Sequence, residues 1–414
     1  MTLEKKRWII LIASCFINLC IGSLYTWSVF ASPMAVHINE IHGLTGTVAV
    51  TAANLAIVFT VANLVGPVTM ISGGFINDTL GPRWVILVGA VLFGGGFILS
   101  GFSGSIPFLV VSYGLGCGLG MGMIYGATVN NSVKFFPDKR GLIGGIATAT
   151  YGFSSVLIPP VAHRMIGGYG ILTTFRVLGI LFFIIIVGCA FLIEKAPADF
   201  IPESMKGMQV KTGVVAADSK TWREMMANGR FYIMFLMLMC GAFSGLMIIS
   251  QASPMAQKMI GMTAQEAALA VSVLALFNAF GRIMAGYISD KFGRVQVIRV
   301  VFLVSVAGLA CLFVSGQGQN ILFILGISLA GICFGAFMGI FPGFTADSFG
   351  PKYNSVNYGI MFIAFALAGT VGPLAAGKIV MRTGNYQMAF AVAGILAVLG
   401  FILTFIYRKM ANNG

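Results

Sequence analysis

Arg282 and Asn278 stand one helical turn apart inside a stretch, 264–289, that is otherwise apolar and long enough to cross a bilayer. A guanidinium at that depth costs about 3 kcal/mol on insertion scales and above about 10 kcal/mol in simulations. Such a group faces a protein interior or a wet path and takes a partner. The chemistry open to it is carboxylate recognition. Its planar fork binds a carboxylate in bidentate fashion, and the Asn278 amide can add a hydrogen bond. The twelve acids are Glu4, Glu40, Asp78, Asp138, Glu194, Asp199, Glu203, Asp218, Glu224, Glu266, Asp290 and Asp347, and all read as loops or helix ends. With no acid at mid-depth, the missing counter-charge is expected to belong to a substrate. The alternative is an arginine satisfied by helix carbonyls or hydroxyls as a packing element.

Helical faces supply the surroundings. The stripe holding Arg282 is small and polar (Ala275, Asn278, Ala279, Arg282, Gly286), whereas the opposite stripe is bulky (Val273, Leu276, Phe277, Phe280, Met284, Tyr287). Three earlier segments carry similar small stripes, each with one tyrosine at mid-depth. These are Ser14-Asn18-Gly22-Tyr25-Ser28, Gly118-Gly122-Tyr125-Thr128-Ser132 and Gly144-Thr148-Tyr151-Ser154-Ser155. Tyrosine puts a hydroxyl on an apolar body, which suits a tight, wet cavity. Small stripes also serve close helix packing. The glycines at 114, 118, 120 and 122 lie within a span with no strand before them, so packing rather than nucleotide binding is expected there.

The elements that must position these residues are membrane helices. The chain has 414 residues, 58% hydrophobic and only 9% charged, with a mean hydropathy of +0.95. That composition excludes a soluble globular protein. Twelve spans are expected, at 8–30, 47–71, 84–102, 107–130, 141–166, 172–193, 231–253, 264–289, 296–315, 320–346, 355–381 and 386–407. A charged linker, 194–229, divides a six-helix bundle at 1–193 from a second at 230–414. Nineteen of the 25 Lys and Arg residues fall on one side if both termini are cytoplasmic, and five (Arg164, Arg176, Lys258, Lys378, Arg382) on the other. The positive-inside rule therefore favours both termini inside, and the expected location is the cell (inner) membrane. The net charge of +13 reflects this bias and does not call for nucleic acid. The stretch from Trp8 to Phe30 is too long for a cleavable signal. Seven cysteines show no metal-ligand spacing. No nucleophile–base pair or metal cluster appears, so neither an enzyme nor a cofactor is expected.

The halves repeat. Gly74, Asp78 and Gly81 after the second span match Gly286, Asp290 and Gly293 after the eighth. Ala-Ser-Pro-Met occurs at 31–34 and 252–255, and Pro160 matches Pro373. Parallel six-helix repeats predict a pseudo-two-fold axis along the membrane normal and a central cavity. The pattern Gly286, Asp290, Gly293, Arg294, with its copy Gly74, Asp78, Gly81 and Arg83, resembles the signature of the major facilitator superfamily. The resemblance implies an all-α fold of twelve transmembrane helices in two pseudo-repeats. It also implies a cytoplasmic gate in which Asp78, Arg83, Asp290 and Arg294 cap and pair helix ends. Topology and folding alone would use the same residues.

Within that superfamily the chain is similar to the oxalate/formate antiporter and monocarboxylate transporter branch. The resemblance is carried by Gly22-Ser23-Leu24-Tyr25-Thr26-Trp27-Ser28, Ile124-Tyr125-Gly126, Phe135 to Gly141, Tyr151-Gly152 and Asn357-Tyr358-Gly359. It implies that Arg282 grips a substrate carboxylate and that Tyr25, Tyr125 and Tyr151 line the site. Phe365 stands where the oxalate exchanger has a second cation, and Phe334 and Met338 replace its Trp and Tyr. The expected site is thus Arg282, Asn278, Tyr25, Tyr125, Tyr151, Phe365, Met338 and Phe334. A single cation would leave one carboxylate of a dianion buried and unpaired. The expected cargo is a small monocarboxylate such as lactate, pyruvate, formate or acetate, moved by a monomeric secondary transporter with proton-linked or anion-exchange coupling. His37, His42 and His163 read as outer residues, so no side-chain proton relay is evident. Lys378 and Arg382 could steer anions or anchor the interface. An oxalate or other dicarboxylate:formate antiporter and a non-transporting carboxylate sensor remain alternatives.

Overall fold

The computed structural model describes residues 2–52, 54–197, 200–205 and 219–412. Within these, twelve helices are long and apolar enough to cross a membrane, and no strand occurs. In chain order they are α1 (Leu3–His42), α2 (Ala56–Thr79), α3 (Pro82–Ser100), α4 (Ile106–Phe135), α5 (Arg140–Tyr169), α6 (Ile171–Ala190), α7 (Gly229–Ile260), α8 (Gln265–Phe292), α9 (Arg294–Val314), α10 (Asn320–Phe349), α11 (Asn354–Thr383) and α12 (Gln387–Ala411). Of the expected linker 194–229, residues 198–199 and 206–218 lie outside the described residues. Its last part forms a short helix, Trp222–Ala227, whose Thr221 and Glu224 cap each other. The Thr221 amide and hydroxyl hold the Glu224 carboxyl below its ordinary range.

Most spans begin or end a few residues from the apolar runs. The first runs on to His42 rather than 30, and the second starts at Ala56 rather than 47. Polar groups take the preceding chain first: the Asn39 amide brackets Val50, donating to its carbonyl at 2.9 Å and accepting from its N–H at 2.7 Å. At the other end α2 runs on through the motif to Thr79. Gly81 and Gly293 close α2 and α8 with φ of +100° and +89°. An L side chain rarely adopts that region, which is why glycine recurs at both places.

Two compact units result. The first holds Met1–Phe135, Thr150–Gly207 and Tyr353–Ile360, that is α1–α4, most of α5, α6 and the start of α11. Its core is aromatic: Phe97 meets Phe30, Tyr113 and Phe182, and Trp27 lies 4.5 Å from Tyr113 between ring centroids. The second holds Phe136–Ala149, Met208–Lys352 and Met361–Gly414, so it takes in the first turns of α5. There Phe337 packs on Phe302 at 4.8 Å and Phe344 on Tyr407 at 5.1 Å. Helix α11 breaks at Phe362, between Asn354–Met361 and Ile363–Thr383.

Candidate functional site

In the second unit, α8 is started by Thr263, whose hydroxyl accepts from the Glu266 N–H while the Glu266 carboxylate accepts from the Thr263 N–H. Four and a half turns on, the helix carries Asn278 and Arg282, 7% and 2% exposed. Arg282 Nε donates to Asn278 Oδ1 at 3.1 Å, and Nη1 donates to the Thr148 carbonyl oxygen of α5 at 2.6 Å. The guanidinium carbon lies 5.9 Å from the Phe334 ring centre. Among the described residues no carboxylate pairs with Arg282. A guanidinium has five N–H donors. Two are used by neutral acceptors, leaving three, with Nη2 unbonded. The helix-carbonyl alternative raised by the sequence therefore describes part of the arrangement: Thr148 satisfies one donor, but no described residue neutralises the charge.

Phe334 continues into a column of rings. Phe365 stacks on it at 6.2 Å and 28°, and Phe362 stacks on Phe365 at 4.4 Å and 20°. Phe334 and Met338 are 1% exposed and Phe365 7%. The guanidinium thus stands over the first ring of an apolar column, and its remaining N–H donors point in its own plane.

The α8 backbone here is held by glycines. A Cβ on Gly335 would strike the Asn278 carbonyl oxygen, one on Gly339 or Gly145 the Arg282 carbonyl oxygen, and one on Gly141 that of Gly286. Helices α10 and α5 therefore close on α8 at backbone distance around Arg282. The small stripe serves packing as well as polarity. The bulky stripe lies outside, with Leu276, Phe277, Phe280 and Tyr287 all exposed.

In the first unit Tyr151 is the centre of the tyrosine cluster, its ring 5.1 Å from Tyr25 and 5.2 Å from Tyr125, both edge-on. Tyr25 sits on a 3-10 turn of α1, Gly22–Thr26. In that winding residues three apart share a side, so Gly22 and Tyr25 both meet α5. Gly22 is against the Tyr151 carbonyl and Ser154. Asn18 accepts from the Thr128 hydroxyl at 2.7 Å. Gly118 and Gly122 of α4 close on the backbone of α2 at Ala62 and Gly66, the packing role expected of that glycine run.

The two motif aspartates cap helix starts. In the second unit Asp290 accepts from the N–H groups of Gly141 and Leu142, each at 2.8 Å, and pairs with Arg294 at 2.7 Å. Arg294 also reaches Asp347 at 2.9 Å, which pairs with Arg140 at 2.7 Å. In the first unit Asp78 pairs with Lys134 at 2.5 Å and accepts from the Val356 N–H at 3.4 Å. Arg83 is not brought to Asp78; it donates to the carbonyls of Phe191 and Ile193 past the end of α6. Sequence reasoning missed Lys134, Arg140, Asp347 and the Thr148 carbonyl. The first three are charges at span ends and could have been sought there. A backbone carbonyl carries no residue signal.

The sequence profile described as Major Facilitator Superfamily matches residues 15–373, and also 252–413. This chain belongs to that superfamily. The superfamily membership makes it a multi-pass membrane transporter rather than an enzyme, with the all-α, twelve-helix architecture described above. Among superfamily relatives, the oxalate:formate antiporter of Oxalobacter formigenes is 27% identical over 411 residues, covering 98% of this chain and 93% of that protein. Monocarboxylate transporter 12-B of Danio rerio is 24% identical over 357 residues, covering 80% and 74%. The solved structure of a double-Trp mutant of XylE superposes with a TM-score of 0.80 at 15% identity, covering 98% of this chain and 96% of that one.

Proposed function

We propose that the protein is a secondary active transporter of small monocarboxylate anions of the lactate, pyruvate, formate or acetate class, working by alternating access in a cell membrane with both termini cytoplasmic. The observation that carries the reading is Arg282: a buried guanidinium with two donors occupied by neutral acceptors, three left, and no carboxylate partner among the described residues. A substrate carboxylate supplies the charge and acceptors that the protein withholds. The column of Phe334, Phe365 and Phe362 limits the cargo to one carboxylate, because a second would meet phenyl rings rather than a cation. Tyr25, Tyr125 and Tyr151 are the candidate substrate surface of the first unit. Coupling is by anion exchange or by a proton carried with the anion.

Similarity to the oxalate:formate antiporter over nearly the whole chain favours a second reading, exchange of a dicarboxylate for formate. Phe365 argues against it. The two readings separate in proteoliposomes loaded with counter-anion and given labelled lactate, pyruvate, formate or oxalate, with and without a pH gradient. Uptake of a monocarboxylate is expected. Rapid oxalate exchange without monocarboxylate uptake would refute the proposal in favour of the second reading.

A further inference from the structure

Among the described residues, Arg282 is one of two arginines inside the apolar body of the second unit that lack a carboxylate partner. The other, Arg299, falls inside the expected ninth span, 296–315, and counts among the charges of the cytoplasmic side. The structure places it in α9, which begins at Arg294. Five residues at 1.5 Å each put it about 7.5 Å in from that end. Its Nε donates to the Thr404 hydroxyl of α12 at 3.1 Å, and that hydroxyl in turn donates to the Phe401 carbonyl at 2.7 Å. The guanidinium carbon stacks 3.9 Å over the Phe405 ring. Nη2 is enclosed and has no hydrogen-bond partner, and Nη1 has none among the described residues.

This cation is oriented by one hydroxyl and one ring but not neutralised. The surface around it is apolar and open: Val300 and Leu303 on α9 and Ile402 and Phe405 on α12 are exposed. None of the described residues supplies its counter-ion, and it stands at a depth where the surroundings are acyl chains. A second cation stands in line. Arg408 follows Thr404 by one turn on the same side of α12, is exposed, and has no ion pair among the described residues.

We propose that Arg299 and Arg408 hold the phosphodiester of an anionic glycerophospholipid in the seam between α9 and α12. Arg299 binds a phosphate oxygen through Nη1, Arg408 screens the headgroup from the water side, and the acyl chains lie along Val300, Leu303 and Ile402. A soluble phosphate shares the headgroup chemistry but gains nothing from those apolar flanks, which is why the occupant is a lipid. With the termini cytoplasmic, as proposed above, the seam faces the cytoplasmic leaflet, the side rich in anionic lipid.

The test is native mass spectrometry of the full-length protein, taken from micelles doped with equal phosphatidylglycerol and phosphatidylcholine, without any carboxylate present. Wild type should retain phosphatidylglycerol over phosphatidylcholine. Arg299→Gln and Arg408→Gln should each lower that retention roughly fivefold, the effect of one basic residue near an anionic membrane surface, and the double substitution should remove the preference. Arg408 is exposed, so Arg408→Gln tests the site even where Arg299→Gln folds poorly. Retention unchanged in the Arg408→Gln and double variants, or equal for the two lipids in wild type, overturns the proposal. Displacement of the lipid by excess inorganic phosphate overturns the lipid assignment. No transport step enters the readout, so it succeeds or fails independently of the carboxylate reading.

Discussion

Replacing Arg282 with glutamine removes the fork, the charge and both internal hydrogen bonds. The effects on binding and on folding differ. Each hydrogen bond to an ionised group contributes about 1.5–3 kcal/mol. Three donors of Arg282 remain after Asn278 and Thr148 take two, so a carboxylate can receive a bidentate pair contributing about 3–6 kcal/mol. At 1.4 kcal/mol per decade, affinity should fall by at least roughly 100-fold. Folding changes far less, because two opposing effects meet. The Asn278 amide oxygen and the Thr148 carbonyl lose a donor, each costing about 1–3 kcal/mol, while an unneutralised buried charge is relieved. Arg282→Lys keeps the charge without the planar fork, and should bind between wild type and Arg282→Gln. The assay is equilibrium binding of lactate and formate to purified protein by calorimetry, with thermal unfolding of each variant as the control. A folded Arg282→Gln protein that binds within threefold of wild type would refute the assignment of Arg282 as the carboxylate anchor.

Phe365→Lys places a second cation beside Phe334 and should confer oxalate uptake in proteoliposomes where the parent shows little; no gain in oxalate uptake would weigh against the ring column as the filter for charge number. Gly339→Ala forces a methyl onto the Arg282 carbonyl and should cost about 1–3 kcal/mol, read as a lower unfolding temperature together with weaker carboxylate binding. Gly167→Ala is the control: a Cβ there meets nothing, so both readouts should stay put. Asp290→Asn leaves one oxygen for two helix-start amides; hydrogen exchange at Gly141 and Leu142 should quicken by roughly fivefold or more, as a lost cap contributes about 1 kcal/mol or more. Exchange at the wild-type rate would remove Asp290 from the capping role.

The sequence exposes side chains whose partners are close along the chain, and hides those whose partners depend on folding. Arg282 and Asn278 were legible as a pair because a spacing of four puts them on one helical face. The exposed Leu276, Phe277, Phe280 and Tyr287 followed from the same periodicity. The caps by Asp78 and Asp290 were legible as a repeated motif, yet their partners were not: Arg83 looked equivalent to Arg294 but turns to the end of α6 instead. Arg299 lay inside the expected ninth span, but apolar periodicity does not show that Thr404 and Phe405 of α12 meet it. The glycines of α10 announced close packing, but only the fold shows that it falls on the carbonyls of Asn278 and Arg282.

The Thr148 contact has a genetic consequence. Its acceptor is main chain, so every residue at position 148 would present it. A saturation screen that truncates side chains would score the site by the Thr148 hydroxyl, which merely returns to the Gly145 carbonyl at 3.2 Å. Position 148 would pass as tolerant of small residues while holding the arginine on which binding is proposed to turn. Atomic replacement reaches what codon replacement cannot. Exchanging the peptide bond between Thr148 and Ala149 for an ester weakens that carbonyl as an acceptor, also removes the Ala149 N–H from the helix ladder, and leaves every side chain in place. The expected signature is a loosened Arg282 in a protein that no alignment of variants would distinguish from the parent.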